Sequence, residues 1–374
     1  MNEDRSARYQ RLKRQAAILS FIWNLAFLGG VLATRATIAA REAAEGAAAR
    51  MAPASWLAPV SVVIYVVILS AVNEIGGLAI AFYSGWIVER RYGLSTQPIR
   101  GWIVDQAKAF GVGLALATLS ASIVYWLIRR SPAYWWIAAG VVFALLIVVM
   151  ANLAPVLLLP LFYRVKPLDR ESLRVRLLGL AERAGARVLG AYEWGLADKT
   201  KKANAALAGI GSTRRILVSD TMLAEYSDDE IEVVLAHEIA HHVHGDIWKG
   251  IAFESALVLI GFYVASRVMS GLAGSFALRG VADVAGLPLL LLASGAVALV
   301  TLPVAHAMSR AYERSADRFA LALTRNPGAF ISAMRRLGAQ NLAEEHPSKI
   351  VQFLFYSHPP VRERIEAAQA FGTR

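Results

Sequence analysis

The chain of 374 residues contains no cysteine. That absence excludes a cysteine nucleophile, thiolate-held zinc, iron–sulfur clusters and disulfides together. Any metal must then be held by His, Asp or Glu. Charge is also sparse: Asp, Glu, Lys and Arg make up 18% of the residues, against about 25% in soluble domains. Internal repeats, low-complexity tracts and Gly/Ser linkers are missing too, so neither a repeat architecture nor flexibly tethered modules are expected.

What is abundant is apolar. Hydrophobic residues make up 56% of the chain, and its mean hydropathy is +0.46. The excess sits in six blocks, 16–33, 59–88, 109–128, 134–162, 251–266 and 286–305, each poor in charge. Blocks of this kind read as membrane spans. The first follows Arg5, Arg8, Arg11, Lys13 and Arg14. It is longer than a signal-peptide core and reads as a signal-anchor or first spanning helix. Asn73 and Glu74 lie inside the second block, facing either protein or the interface. Residues 35–57 read as a polar, Ala-rich loop, and Pro155 marks a place where the fourth block can break.

The net charge is +11. No aromatic-basic motif accompanies it, so membrane topology explains the charge and no nucleic-acid partner is expected. Six spans return both termini to one side. The basic N-terminus, Arg90, Arg91, Arg100 and the segment 164–249 are then cytosolic, although Arg129 and Arg130 run against the rule. The excess of Arg and Ala hints at a GC-rich bacterial genome. The expected location is therefore a bacterial inner membrane, with the segment 164–249 in the cytosol and membrane lipid as a partner. The oligomeric state is not readable.

The expected fold is mainly α: a polytopic helical membrane protein of about six spans with a small β-sheet in its soluble part. Residues 1–163 form an N-terminal membrane domain of four spans, 164–249 a soluble catalytic segment, 250–308 two further spans, and 309–374 C-terminal helices. Within the soluble segment, 170–185 has helical periodicity, and 187–195, 203–209 and 214–219 are candidate strands. Ser227 with Glu230 three residues later makes a capping box that opens the next helix.

That helix carries His237-Glu238-Ile239-Ala240-His241. Positions i and i+4 share one helix face, so both imidazoles can meet one Zn²⁺. Glu238 can reach a water there as general base without being a ligand. His242 and His244 fall off the ligand face. A catalytic zinc needs a third protein ligand and an open position. Glu313 is a candidate, with Asp317 one turn later placed to accept the N–H of a ligating histidine. The same residues also fit a surface salt-bridge helix, Arg310–Glu313–Arg314–Asp317, and spacing alone leaves the two readings level. Two spans separate His241 from Glu313, and an even number returns the chain to the same side. Asn204 heads a candidate edge strand suited to binding an extended peptide; otherwise it is an ordinary turn residue. His358, in Ser357-His358-Pro359-Pro360, can stabilise an oxyanion or simply precede the last helix.

Together these residues resemble the type I CAAX prenyl endopeptidase family, membrane gluzincins with bacterial members, over most of the chain. The resemblance includes Tyr92-Gly93-Leu94-Ser95-Thr96-Gln97, Pro160-Leu161-Phe162, Asn204-Ala205, Arg215-Ile216-Leu217-Val218 with Asp220-Thr221, and the zinc and Ser-His-Pro-Pro motifs in order. It implies a gluzincin-type zinc-protease core. One zinc per chain would be held by His237, His241 and Glu313, with Glu238 as base and Asn204 and His358 as substrate and transition-state contacts. Arg364 would lie near the site beside an acidic partner. The substrate would be a peptide or protein, with or without a lipid. The family's eukaryotic members have seven spans, against six here. The final Phe371-Gly372-Thr373-Arg374 shows no ER-retrieval pattern, and a bacterial source favours membrane-associated or misfolded peptides over farnesylated ones. Two other readings remain: an intramembrane protease, disfavoured because the motif helix is polar and precedes a span, and a membrane scaffold or transporter with a structural zinc site.

Overall fold

The computed structural model describes residues 4–209 and 211–372, so the last two residues of the chain lie outside it. Among the described residues, six helices are long and apolar enough to cross a membrane: Arg5–Ala33, Ala54–Arg91, Ile99–Arg130, Trp135–Phe162, Asp246–Leu272 and Val284–Thr324. In chain order the elements begin with α1 (Arg5–Ala33), α2 (Ala36–Met51), α3 (Leu57–Phe82), α4 (Ile99–Arg130) and α5 (Trp135–Leu153). Both α3 and α5 continue through a π-helical turn, Tyr83–Ile87 and Ala154–Leu158, into a last short helical stretch. Pro155 therefore sits in a π turn and does not reverse the chain.

The soluble segment follows as β1 (Val165–Pro167), α6 (Glu171–Arg183), β2 (Ala191–Trp194), β3 (Ala205–Ala208), β4 (Arg215–Ser219), α7 (Asp220–Glu225) and α8 (Asp228–Val243). Then come α9 (Asp246–Leu272), α10 (Leu287–Thr324), α11 (Pro327–Gln340), α12 (Lys349–Phe355) and α13 (Val361–Gly372). The sheet order is β1-β2-β4-β3. Strands β2 and β4 are parallel, the other two pairs are antiparallel, and β3 is an edge. One core joins α6, β4, α8, α10 and α11 through Leu173, Leu177, Ile216, Val218, Ile231, Leu235, Ala320 and Phe330. A second lies among the spans, around Tyr65, Tyr125, Ile128, Trp135 and Phe262.

Residues 36–51 are a helix, not a loop. Ala, the strongest helix former, dominates the stretch. Its buried residues Thr37, Arg41, Ala44 and Ala48 recur at helical spacing, giving one face to pack. That face meets the turn before α10. Arg41 Nη1 lies 2.6 Å from Asp283 Oδ2, with the two side chains only 5% and 1% exposed. Asp283 also accepts from the backbone N–H groups of Arg279 and Ala285. Thr37 Oγ1 bonds the Tyr65 hydroxyl at 2.6 Å and donates to the Ala285 carbonyl at 2.7 Å. Removing one partner of a buried pair strands the other charge. Asp283→Ala is therefore expected to destabilise the detergent-solubilised protein by about 3 kcal/mol, with the Arg41→Met/Asp283→Leu double variant recovering most of it. Chemical unfolding of the three proteins checks this. Equal stability of Asp283→Ala and the parent would show that the pair carries no weight.

Between spans, small residues permit close approach. A Cβ on Gly76 of α3 would lie 1.9 Å from the Trp23 ring of α1, and one on Gly140 would lie 2.5 Å from Leu259 Cδ1. Glu74 is half-buried and accepts from Gln106 Nε2 of α4 at 2.8 Å, so it faces protein.

Candidate metal centre and active site

Helix α8 is capped as its sequence predicts. The Ser227 hydroxyl accepts from the Glu230 N–H, and the Glu230 carboxylate accepts from the Ser227 N–H at 2.8 Å. Buried Ile231, Val233, Val234 and Leu235 then seat the helix in the soluble core. This fixes His237 and His241 one turn apart. Helix α9 leads away from the site, and α10 returns with Glu313.

His237 Nε2 and His241 Nε2 lie 3.3 Å apart. Each faces the Glu313 carboxylate, His237 at 3.2 Å and His241 at 3.4 Å. Ligand atoms around a tetrahedral ion with bonds of about 2.0–2.1 Å are spaced by about 3.3 Å. The outer nitrogens have their own partners. His237 Nδ1 is 2.8 Å from Asp317 Oδ1, and His241 Nδ1 is 3.1 Å from Asp246 Oδ2. A carboxylate beside each Nδ1 assigns the proton to that nitrogen and turns both Nε2 lone pairs inward. Two lone pairs and a carboxylate facing one point fit a cation. Among the described residues these three form the cluster able to hold a metal ion.

Without metal the same geometry favours protons. Burial disfavours the charged form of His237, but its hydrogen bonds to Asp317 and Glu313 outweigh this and raise its pKa to about 9. His241 is also raised: burial again opposes the charge, and Glu313 and Asp246 overcome it. Both histidines must be neutral to bind metal. A proton on His237 therefore competes at every pH below about 9. Metal affinity is expected to fall as pH falls, by about tenfold per unit for each proton displaced. Chelator competition at pH 6, 7 and 8 measures it, and a flat profile would contradict it.

Glu238 is half-buried beside the histidines. Burial raises its pKa, while the charges of His237 and His241 oppose the rise. A carboxylate so shifted accepts a proton more readily near neutrality. Asp317 is buried and held by Arg364 through two hydrogen bonds, 2.9 Å from Nε and 2.6 Å from Nη2. Arg310, Glu313 and Asp317 are all buried, which removes the surface salt-bridge reading of this helix. His358 Nδ1 reaches 2.8 Å from Glu313 Oε2, with a side chain that is 63% exposed. Asn204 is exposed at the start of edge strand β3, and its backbone pairs with Ser219 at 2.9 and 3.0 Å. Helix and strand are joined by His242, whose Nε2 donates to the Leu207 carbonyl at 2.8 Å. His244 lies edge-on to Phe319.

Asp246 is the site residue that sequence reasoning passed over. Gly245, at φ +69°, breaks the helix and begins α9, which turns the buried Asp246 back onto His241. The Gly-Asp step five residues after His241 was the available signal. Asp246→Ala is expected to weaken metal binding by about 10–100-fold. Titration with a competing indicator decides the point, and parent-like affinity would remove Asp246 from the site.

The sequence profile of peptidase family M48 matches residues 167–371, over half the chain. A second profile, for the CAAX prenyl protease N-terminal region with five membrane helices, matches residues 2–164. The chain belongs to peptidase family M48. It is an integral, multi-pass membrane metalloprotease. The YhfN metalloprotease of Bacillus subtilis is 31% identical over 309 residues, covering 82% of this chain and 72% of its own. CAAX prenyl protease 1 homolog of Arabidopsis thaliana is 27% identical, covering 79% and 70%. The crystal structure of S. mikatae Ste24p shares the fold of this M48 chain, with a TM-score of 0.84 at 21% identity over 97% of this chain and 88% of that one. The resemblance drawn from the motifs, the mainly helical polytopic fold and the hydrolase class all stand. Family membership in a metalloprotease family displaces the scaffold and transporter readings.

Proposed function

We infer that this M48 protease is a zinc metalloendopeptidase holding one zinc per chain through His237, His241 and Glu313. The 3.2–3.4 Å spacing of their inward atoms carries the reading. Nitrogen and oxygen donors in tetrahedral spacing suit zinc over harder cations, which take more oxygen ligands. Zinc so bound supplies Lewis acidity that activates water and polarises a carbonyl.

The chain's own residues do the rest. Glu238 takes the proton of the attacking water and delivers it to the leaving amine. His358 donates to the oxyanion that develops on the scissile carbonyl. Strand β3 pairs with the extended peptide, and Asn204 binds its backbone. Asp317 and Asp246 orient the two histidines, and Arg364 holds Asp317 in place. The substrates are membrane-associated peptides, CAAX-type proteins among them, as the names of the Arabidopsis and related proteases suggest. The basic residues of the α1 head and of Arg90 and Arg91 lie at the catalytic end, which supports a cytosolic active site in a bacterial inner membrane. The proposed division is 1–163, 164–249, 250–308 and 309–374.

The test is cleavage of quenched-fluorescent peptides, prenylated and plain, by detergent-purified protein with and without chelator. Chelator-sensitive cleavage restored best by zinc supports the reading. Full activity after metal removal would overturn it. Preference for the prenylated peptide assigns the lipid to the substrate, and equal rates remove it.

A further inference from the structure

His358 poses a positioning problem. It sits in a loop, its side chain is 63% exposed, and its Nδ1 must still be held 2.8 Å from Glu313 Oε2. Tyr356, two residues before it, shows how this is achieved. Tyr356 ends α12 and is gripped at both of its polar groups. Its backbone carbonyl accepts from Arg310 Nη1 at 2.6 Å, and the same nitrogen donates to the Gln352 carbonyl at 3.1 Å. Arg310 is buried on α10, one turn before Glu313, so the metal-ligand helix itself holds the backbone that leads to His358. The Tyr356 hydroxyl donates to Glu344 at 2.6 Å and accepts from Arg14 at 2.9 Å, and Arg14 pairs directly with Glu344 at 2.5 Å. Arg14 belongs to α1, the first membrane helix.

That helix is a fixed point. One turn earlier, Gln10 donates to the Leu342 carbonyl at 2.8 Å. On the adjoining face, Tyr9 and Lys13 both bond Glu89, at 2.7 and 3.0 Å. Lys202 joins the same carboxylate at 3.0 Å and donates to the Tyr9 hydroxyl at 2.9 Å. Lys202 lies two residues before Asn204. The polar head of α1 thus touches both segments that flank the metal site, the one leading to Asn204 and the one leading to His358. Charge-assisted bonds among partly buried groups keep their geometry better than exposed ones.

We propose that Arg14 and Arg310 are positioning residues for His358: acting on Tyr356 from a membrane helix and from the metal-ligand helix, they hold the Ser357–Pro360 loop against Glu313. The proposal rests on the role given to His358 above. It assigns the basic N-terminal head of α1 a task in turnover beyond membrane topology.

The test uses the full-length protein in detergent and needs two independent readouts. The chain has no cysteine, so paired spin labels go where they are placed. Ile350→Cys on α12 and Leu189→Cys before β2 are 72% and 57% exposed and serve as the pair. Arg14→Ala and Tyr356→Phe are expected to broaden the distance distribution, and Arg14→Lys to narrow it again. In kinetics, Arg14→Ala is expected to lower kcat about tenfold, with KM and metal content unchanged, and to cause no further loss in a His358→Ala background. An unchanged distance distribution would overturn the proposal. So would losses from Arg14→Ala that multiply with those from His358→Ala. Full turnover by His358→Ala alone would instead remove the oxyanion role of His358, and the distance measurement would then decide the loop's anchorage by itself.

Discussion

Glu238→Gln is expected to keep a full complement of metal and to lower kcat by a factor on the order of 10³, within the range general-base catalysis supplies. The substitution preserves shape and removes only the ability to take a proton. Glu238 is outside the His237, His241 and Glu313 cluster, so the proposed ligands are untouched. It follows His237 directly on α8, where burial lifts its carboxyl above the usual range and the neighbouring histidine charges restrain the rise. A base in that position is poised to hold a proton briefly and return it. Turnover with a quenched peptide, alongside elemental analysis for metal, tests this. A variant retaining more than a tenth of parental kcat would mean that another group moves the proton.

Glu313→Ala is expected to abolish activity through loss of the metal. The carboxylate faces both inward histidine nitrogens at 3.2 and 3.4 Å. With about 10–16 kcal/mol of zinc binding spread over three protein ligands, removing one weakens binding roughly a thousandfold. His237 and His241 lose their shared anionic partner as well. Glu313→Asp keeps the charge but shortens the reach, so weak metal binding with little turnover is the expected outcome. The measurement is metal content after dialysis against a buffered chelator, with circular dichroism to show that the helices persist. Parent-like metal retention in Glu313→Ala would move the third ligand elsewhere.

Legibility followed distance along the chain. The capping box Ser227–Glu230 and the His237/His241 pair were readable because helix geometry relates residues three and four apart whatever the tertiary structure. The spans were readable because length and hydropathy suffice to recognise them. The helix Ala36–Met51 was misread because its charges masked a stripe of Thr37, Arg41, Ala44 and Ala48. Arg41 looks like a surface residue until Asp283, on a distant turn, is placed against it. Strand Val165–Pro167 was missed because three residues carry too little pattern. Strands β2 to β4 were found, with ends that the ladder shortens.

Asp246 and Arg14 teach the same lesson at the site. Helix periodicity does not pair Asp246 with His241; only the Gly245-Asp246 step hints at it, because a left-handed Gly245 and a change of helix direction bring Asp246 back. Nothing near Arg14 points to Tyr356.

The sequence alone determined that a metal must be held without sulfur, that the chain crosses the membrane several times, and that two imidazoles share one helix face. Only the tertiary structure decided which carboxylate completes the cluster, which nitrogen of each imidazole turns inward, and what anchors the His358 loop. The division has a physical cause. Backbone sterics and hydropathy act over a few residues or along one helix, whereas the separation of His237 from Glu313 and Asp317 is set by how α8 and α10 pack.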